Sequence, residues 1–320
     1  MQLIDLHMHS TYSDGTDSPA ELVELAIEKD LVAMALTDHD TVEGVAEAQA
    51  AAEGRHIEVI PGVEISCEYV IPPKSGILGR DDKSHRICTL GQIENPNDIS
   101  ISVQKGAITT KRKEIHILGY GMDTKDPELL RLLKFACDER DNRNKKMAKN
   151  FEEAGYDMIT YDKLKERFGN VTIARPHFAR LLMEAGVIPS IDSAFSEGGL
   201  LSNKSPLYVY RRYLTPEQGI KAIVNAGGKA VLAHPMMYKM SVSEIHQMLE
   251  TLIGFGLTGI EAIYSRNKGT DEAFIRKLAH DYDLFITGGT DYHGRNKPDL
   301  EIGWGEGNLR VPAMLLSHIR

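Results

Sequence analysis

Seven short apolar runs, most of them separated by stretches of helical character, are the feature that most constrains how this 320-residue chain can fold. The run at 31–36 is apolar at every position, which is typical of a parallel strand covered on both faces. The other runs lie at 3–6, 57–65, 115–120, 230–234, 259–264 and 284–287. Strands that alternate with helices indicate βα units and an α/β fold built on a parallel sheet.

The segments between the runs divide the chain. Residues 18–21 and 215–218 are capping boxes with proline at the first helical position, so each predicts a helix start in the βα pattern. From Pro127 to about Ser196 the sequence is mostly helical. We therefore predict that 1–124 and 214–320 form one barrel. Residues 125–213 are predicted to be a helical insertion that contributes to the substrate pocket.

The regular pattern is interrupted at about 69–113. This stretch is rich in turn residues, and the β-rich run Ile99–Val103 predicts a hairpin-like excursion from the barrel. Lys111, Arg112 and Lys113 make its end basic. We favour a solvated loop over a substrate-binding arm, because a run of charges is most often a solvated surface.

Side chains able to bind metal ions recur where the predicted strands end. In parallel α/β sheets, chemistry collects at the ends where the βα loops begin. The candidate ligands offer nitrogen and oxygen without sulfur, and they are His7, His9, Asp14, His39, Glu64, His116, His234, Asp291 and His293. Such a set is too large for one ion and suits two or three divalent ions of zinc, manganese or iron.

Each of these residues also has a structural explanation when taken alone. His7 and His9 are compatible with a solvated surface strand, Asp14 and Asp291 with turns, and Glu64 with an exposed carboxylate. However, six of the twelve histidines fall at predicted strand ends, which argues against a separate structural explanation for each one. A shared metal centre accounts for all of them at once.

Composition excludes some partners. A formal net charge of −9 argues against a protein that coats nucleic acid with a broad basic face. The negative net charge is compatible with a small anionic substrate, because metal ions and a few arginines can make one pocket positive. No apolar run approaches the roughly 18 residues of a membrane span, and no signal peptide is apparent. We therefore predict a cytoplasmic protein without a membrane partner.

The motifs at these strand ends together resemble the PHP (polymerase and histidinol phosphatase) family of metal-dependent phosphoesterases. The resemblance rests on Asp-x-His-x-His, Thr-Asp-His-Asp, Gly-Val-Glu-Ile-Ser, His-Ile-Leu-Gly-Tyr, Ala-His-Pro and Gly-Thr-Asp-Tyr-His, in that order along almost the whole chain. It implies a distorted (β/α)7 barrel that holds two or three metal ions. It also implies that the nine candidate residues are ligands and that Glu64 bridges two ions. Many family members have histidine where this chain has Asp14, so the chain departs from the family pattern at one of the ligands of a third ion.

Within that family, the helical insertion and the motif Arg-Pro-His-Phe-Ala-Arg at 175–180 resemble the branch that acts on nucleotides. The resemblance implies hydrolysis of a nucleoside 3′,5′-bisphosphate or a short, single-stranded 5′-phosphorylated oligonucleotide. A water ionised between the metal ions is the predicted nucleophile. The leaving oxygen needs a proton or a cation, and the candidate acids are Asp38, Asp40, His177 and His293.

Phosphate also requires fixed donors. Arg175 and His177 stand two apart at a predicted helix start, where the helix adds free N–H groups. Arg140 and Arg143 are three apart on one helix, and we favour a solvated face for at least one of them. Ser13 and Lys204 complete the candidates. A second phosphate held by these groups, away from the metals, would select substrates that carry two phosphates.

Other functions stay open at this point. They are a histidinol-phosphate-type or other small-molecule phosphatase, and a cyclic phosphodiesterase. Hydrolysis of a C–N or lactone bond is disfavoured, because no strand-end lysine is placed to form the carboxylated bridge common in such enzymes. A non-catalytic PHP module is disfavoured because no expected ligand position is empty.

Overall fold

The computed structural model describes residues 2–72, 111–169 and 171–320. Its seven strands lie side by side in chain order in one sheet. They are β1 (Leu3–Met8), β2 (Leu31–Leu36), β3 (Glu58–Ile71), β4 (Lys111–Tyr120), β5 (Lys229–Leu232), β6 (Gly259–Tyr264) and β7 (Phe285–Gly289). All seven predicted runs are therefore strands, and the predicted α/β barrel class is confirmed.

Helices follow most strands. They are α1 (Pro19–Glu28), α2 (Val45–Ala52), α3 (Pro127–Glu153), α4 (Tyr161–Phe168), α5 (Arg175–Glu184), α6 (Ile191–Phe195), α7 (Pro216–Asn225), α8 (Val242–Phe255) and α9 (Asp271–Asp281). Both predicted capping boxes are present, at Ser18 with Glu21 and at Thr215 with Gln218. None of the helices in the described part of the chain has the length and hydropathy of a transmembrane span.

The sheet closes almost completely between its first and last strands. The amide of Asp291 donates to the carbonyl of His7 at 2.8 Å, and the amide of His9 donates to the carbonyl of Tyr292 at 2.9 Å. Residues that follow β7 therefore lie beside the end of β1. This closure brings the first and last motifs of the chain to the same mouth of the barrel.

One strand corrects the prediction of a parallel sheet. β4 pairs antiparallel with both β3 and β5, whereas the other neighbouring strands pair in parallel. β3 also continues beyond Glu64 to Ile71, so Glu64 and His116 lie within a long two-stranded ribbon and not at strand ends. The ends of the predicted 69–113 excursion belong to this ribbon, and the hairpin at Ile99–Val103 lies outside the described residues.

Helix α3 joins two packed regions. Its first half, including Leu129 and Leu133, packs in the core that surrounds β3 and β4. Its second half, including Met147 and Phe151, packs in a separate core formed with α4, α5 and α6. The residues between these halves face the mouth of the barrel, and they include Arg140 and Arg143, which are buried.

Candidate active site

The structure brings all nine candidate metal ligands to one mouth of the barrel. They fall into four overlapping groups, and within each group the donor atoms lie within 4.8 Å of one another. The groups are His7 with Glu64 and His234; His7 with His9 and Asp291; His39 with Glu64 and His116; and His9 with Asp14, His39 and His293. Because the groups share members, the nine side chains form one continuous cluster.

Glu64 lies at the centre of this cluster. Its two carboxylate oxygens face different histidines, which suits a carboxylate that bridges two cations. Oε1 is close to three of them: His116 Nδ1 at 2.8 Å, His234 Nε2 at 3.0 Å and His7 Nε2 at 3.4 Å. Oε2 is close to His39 Nδ1 at 3.0 Å and His9 Nε2 at 3.3 Å.

The other two carboxylates of the cluster flank Glu64. Asp291 Oδ1 lies 3.4 Å from His9 Nε2 and 3.6 Å from His7 Nε2. Asp14 Oδ1 lies 3.2 Å from His293 Nε2 and 3.8 Å from His39 Nε2. Asp14 lies in the turn after β1, as its structural explanation predicted, but its side chain is buried and not at the surface. The aspartate that replaces the more usual histidine thus still presents a donor atom to the cluster.

Buried donor atoms that lack hydrogen-bond partners among the described residues also indicate that the cluster fits divalent metal ions. In the described part of the chain, several of its donor atoms are buried without a hydrogen-bond partner: His7 Nε2, His9 Nε2, Asp14 Oδ1, His39 Nδ1 and Glu64 Oε2. Buried polar atoms of a native protein are nearly always paired, because leaving them unpaired is costly. Coordination of metal ions would satisfy these atoms, and their chemistry suits such ions.

The electrostatics of the cluster also favour cations. Burial disfavours protonation of the histidines, and at His293 it prevails and lowers the pKa to about 4. At His9, Asp291 and Glu64 outweigh burial and raise the pKa to about 9. In the same way, Glu64 and Glu114 raise the pKa of His116 to about 10. Burial is likewise outweighed at Glu64, where the histidines hold the carboxyl pKa well below its ordinary value. Metal ions would compete with protons for these sites.

Glu261, on β6, orients two of the candidate ligands. One of its oxygens lies 2.9 Å from His7 Nδ1, and the other accepts a hydrogen bond of 2.8 Å from the amide of His234. When His7 donates from Nδ1, its Nε2 presents a lone pair to the cluster, which is how carboxylates commonly fix metal-binding histidines. Glu261 was not among the predicted site residues. A lone carboxylate inside the apolar run Gly259–Tyr264 was the available signal.

Asp5 is a second orienting residue that was not among the predicted site residues. Its carboxylate accepts hydrogen bonds from the amides of His7, Thr290 and Gly303 and from the Thr290 hydroxyl. It therefore ties β1 to the segments that follow β7. Lys297 and Tyr264, also unassigned, both donate to Asp291 Oδ2, at 2.5 and 2.8 Å.

Two predicted site residues lie behind the cluster. Asp38 is buried and accepts hydrogen bonds from the amide and hydroxyl of Ser10 and, at 2.5 Å, from the hydroxyl of Ser13. Ser13 is thereby directed away from the cavity described below. Both side chains form hydrogen bonds that hold the loop after β1. The structure therefore argues against the predicted roles of Ser13 in phosphate binding and of Asp38 as a general acid.

Asp40 is an anchor for two arginines. It accepts hydrogen bonds from Arg140 Nη2 at 2.5 Å and from Arg211 Nη1 at 3.5 Å. Burial raises the pKa of the Asp40 carboxyl, but Arg140 and Arg211 outweigh burial and hold it below the ordinary value. A carboxylate that stays ionised is a poor general acid, so the structure argues against that predicted role.

A cavity of about 280 Å³ adjoins the metal-ligand cluster. It is lined by Asp14, His39 and His116 of the cluster. It is also lined by Glu114 and by four arginines: Arg140, Arg143, Arg175 and Arg211. The prediction of a solvated face at Arg140 or Arg143 is wrong, because they are only 6% and 3% exposed. Arg211 was not predicted.

Arg143 has the least compensated charge of these arginines. Within the described residues it forms no ion pair, and its Nε donates only to the side chain of Asn144 at 2.9 Å. Burial, together with the neighbouring charges of Arg175 and Arg140, lowers its pKa to about 9. A guanidinium in such a place is a ready partner for a bound anion.

The remaining predicted phosphate ligands lie in different places. Arg175 borders the cavity, where it donates to Asn203 at 2.6 Å and lies 3.6 Å from a Glu114 oxygen. Lys204 does not line this cavity; its side chain is 82% exposed and pairs with Glu197. Lys204 is therefore not placed to hold a phosphate beside the metal-ligand cluster.

His177 faces away from this cavity. It is buried next to Phe168, and its Nδ1 accepts a hydrogen bond of 2.8 Å from the amide of Ala174. Burial lowers its pKa to about 4, so the ring is neutral near pH 7. His177 borders a different pocket with Arg180, which argues against its predicted roles in catalysis and phosphate binding.

Comparison with known proteins finds similar chains that act on phosphate esters. The chain is 28% identical over 96% of its length to a 3′,5′-nucleoside bisphosphate phosphatase of Chromobacterium violaceum, covering 92% of that protein. It is 27% identical over 94% of its length to the 5′-3′ exoribonuclease Rnm of Escherichia coli, covering 88% of that protein. A phosphoribosyl 1,2-cyclic phosphate 1,2-diphosphodiesterase of Eggerthella lenta is 26% identical over 97% of this chain and is covered over 99% of its own length.

Solved structures agree with the fold. A Bifidobacterium adolescentis protein assigned to the metal-dependent phosphoesterases superposes with a TM-score of 0.74 at 27% identity, covering 99% of this chain and 95% of that one. A Chromobacterium violaceum protein described as an amidohydrolase with bound sulfate gives 0.75 at 28% identity, with 99% and 97% covered.

These findings confirm the predicted enzyme class, a metal-dependent hydrolase of phosphoric esters. The profile of the PHP domain matches residues 5–168. This range includes six of the nine cluster residues, among them Glu64, and it ends with α4, after the helix that carries Arg140 and Arg143. The chain belongs to the PHP domain family.

Proposed function

We propose that this protein hydrolyses a phosphate monoester of a nucleotide-like substrate, either a nucleoside 3′,5′-bisphosphate or a short 5′-phosphorylated oligonucleotide. The observation that carries the proposal is one cavity lined both by residues of the metal-ligand cluster and by four buried or half-buried arginines. A phosphate placed there would contact both. The named activities of the similar proteins fit the same chemistry.

The nine cluster residues would hold two or three divalent ions of manganese, zinc or iron. Glu64, with an oxygen facing each side of the cluster, would bridge two of them. Asp14, His39 and His293 would hold the third. When bound, such ions supply an ionised water near neutral pH and neutralise the oxygens of the phosphate.

The chain itself supplies orientation. Asp40 holds Arg140 and Arg211 at the cavity, while Arg140 Nε and Arg211 Nη2 are buried and have no hydrogen-bond partner among the described residues. Phosphate oxygens would satisfy these donors, because guanidinium groups bind phosphate through paired N–H groups. We propose that the helical insertion 125–213 contributes to the substrate pocket through these arginines.

Charge on the leaving oxygen would be neutralised by cations. Of the four predicted acids, Asp38, Asp40 and His177 have other partners, and His293 is a proposed metal ligand. Arg143 borders the cavity without a carboxylate partner in the described part of the chain. We therefore propose Arg143 as a donor to the phosphate or to the leaving oxygen.

Substitution Arg143→Gln tests this proposal. We expect kcat/KM for a nucleoside 3′,5′-bisphosphate to fall about 100-fold, because a charged hydrogen bond to phosphate contributes roughly 1.5–3 kcal/mol. The unfolding midpoint should stay equal or rise, since an unpaired buried charge is removed. Arg131→Gln on the exposed face of the same helix is the matched control and should change neither quantity.

The assay would use protein loaded with manganese and a panel of monophosphates, bisphosphates, cyclic phosphodiesters and 5′-phosphorylated oligonucleotides. The expected result is highest kcat/KM for a bisphosphate or an oligonucleotide. Preference for a cyclic diester would instead favour the activity named for the Eggerthella lenta relative. An Arg143→Gln enzyme as active as the wild type on every substrate would contradict the proposed role of the cavity.

A further inference from the structure

A second cavity, of about 440 Å³, adjoins the first, and Arg175 and Phe195 line both. Its other lining residues include Glu197, Ser202, Asn203 and Lys204. We propose that this second cavity is a subsite for the nucleobase of the substrate. The inference rests on the proposed function, because it assumes that the phosphates bind in the first cavity.

An aromatic face stands at the junction of the two cavities. Phe195, at the end of α6, is partly exposed and borders both of them. The guanidinium carbon of Arg175 lies 5.7 Å from the centre of the Phe195 ring and 5.6 Å from that of Tyr208. Aromatic rings and guanidinium planes are the surfaces on which proteins stack nucleobases. A base stacked on Phe195 would extend from a sugar whose phosphates are in the first cavity.

A buried polar atom in the second cavity points to a ligand with hydrogen-bonding edges. The Ser202 side chain is more than nine-tenths buried, and its Oγ has no hydrogen-bond partner within the described residues. Asn203 lies next to it and holds Arg175 through its side-chain oxygen. A heteroaromatic base carries donors and acceptors at its edge, so it could satisfy Ser202 while it stacks on Phe195.

The charges of the second cavity argue against another phosphate in this position. Lys204 is paired with Glu197 at 3.1 Å, and both residues line the cavity. Arg175 is shared between Asn203 and Glu114. Among the described residues, the second cavity thus has one carboxylate and two cations that already have partners. The first cavity is lined by four arginines beside the carboxylates of Asp14 and Glu114. A neutral, flat ligand matches the second cavity better than a dianion.

The test compares two substrates that differ only in the base: a nucleoside 3′,5′-bisphosphate and the corresponding base-free sugar bisphosphate. For Phe195→Leu, we expect the ratio of kcat/KM between the first substrate and the second to fall about tenfold, as is usual when a stacking ring is lost. The fall should appear in KM, because the base is remote from the reacting phosphate. Ser202→Ala should lower the same ratio about threefold.

Phe168→Leu is the matched control, since Phe168 is also a half-buried aromatic ring of the helical region and lines neither cavity. In Phe168→Leu, the ratio of kcat/KM between the two substrates should equal that of the wild type. If Phe195→Leu and Ser202→Ala both leave the ratio unchanged while the wild type hydrolyses the bisphosphate, the base subsite is refuted and the proposed function stands. If the wild type hydrolyses neither substrate nor any other phosphate ester, the proposed function itself fails.

Discussion

Single carboxylates determine the geometry of the candidate metal centre. Glu64 lies within 3.4 Å of five histidines, and Glu261 lies behind two of them. A carboxylate that bridges metal ions must leave its oxygens free for them, whereas one that orients ligands must accept hydrogen bonds from those ligands. Glu64 presents its oxygens to several ring nitrogens, whereas both oxygens of Glu261 accept hydrogen bonds from fixed donors. Even a conservative change at Glu261 should therefore disturb the site.

For Glu261→Gln, we expect the affinity for manganese or zinc to fall about 10- to 100-fold, which is typical when a residue supporting a metal ligand is changed. The amide can accept a hydrogen bond from only one of the two donors, and its NH2 group would then face the other. Titration of metal into chelator-treated protein measures the effect. Glu250→Gln, at an exposed position of α8, is the control. Equal affinity in the wild type and Glu261→Gln would show that Glu261 does not orient the ligands.

His177 gives a prediction about stability and pH. Its pKa is near 4 in the folded protein, chiefly through burial, and the ordinary value of a histidine is near 6.5. Between these values the unfolded chain binds more protons, so stability is fully present above pH 6.5 and is lost as pH falls towards 4. Among the charged neighbours of His177, Asp14 raises its pKa and Arg140 and Arg180 lower it, and each has a smaller effect than burial. The loss is up to about 3 kcal/mol.

The measurement is chemical unfolding of wild type and His177→Gln at several pH values from 7 to 4. Glutamine can still accept the hydrogen bond from the amide of Ala174, as at the third position of a capping box. The free energy of unfolding should fall less steeply with decreasing pH in the variant. His56→Gln, at an exposed position, should follow the wild type. Parallel curves for wild type and His177→Gln would refute a neutral, buried His177.

The sequence predicted the candidate metal ligands better than it predicted the phosphate site. All nine donors were recognisable because each follows or lies in an apolar run whose position in a barrel is fixed by the fold. Burial of Arg140 and Arg143 was not recognisable, since it depends on where a long helix passes from one core to another. Ser202 and Arg211 lie in irregular segments with no periodic pattern to place them.

Among the elements, β4 explains most of the departures from prediction. The apolar run at 115–120 indicates a strand but carries no information about its direction relative to its neighbours. Antiparallel pairing with β3 makes a ribbon that extends past the mouth of the barrel, with Ile71 opposite Lys111. It also places Ser66 opposite His116, next to Glu64. The direction of one strand thus brings together two candidate ligands that the chain separates by about 50 residues.

Strands β7 and β1 approach each other closely at Gly289. A Cβ added at Gly289 would lie 2.4 Å from the backbone nitrogen and from Cβ of His7. We expect Gly289→Ala to lower the free energy of unfolding by more than about 2 kcal/mol, since the contact is with backbone that cannot easily move. Denaturant unfolding measures this change, and metal affinity should fall with it because His7 would be displaced.

Gly254→Ala in α8 is the matched control. A Cβ at that position meets nothing within 4 Å, and alanine is the better helix former by roughly 0.5–1 kcal/mol. This variant should be as stable as the wild type or more so. Two variants of equal stability would contradict the tight closure of the barrel between β1 and β7.

At the scale of the whole molecule, the site forms where barrel and helices meet. The barrel provides the nine candidate ligands, and helices α3 and α5 provide three of the four cavity arginines. Arg180 on α5 donates to the side chain of Asn296 and the carbonyl of Arg295, and Asn296 in turn donates to the carbonyl of Asp14. The helices are thus tied to the loop that presents one of the candidate ligands. The alternation of strands and helices indicated this arrangement, but only the packed structure identifies which side chains reach the mouth.

Restoration of activity by metal is the most direct test of the account. Protein freed of metal by a chelator should hydrolyse a nucleoside 3′,5′-bisphosphate at less than about a hundredth of its original rate, because no ionised water remains at neutral pH. Stepwise addition of Mn²⁺ should restore turnover and raise the unfolding temperature together, and both should level off after two or three equivalents. Full turnover in protein shown by elemental analysis to contain no metal would contradict the account.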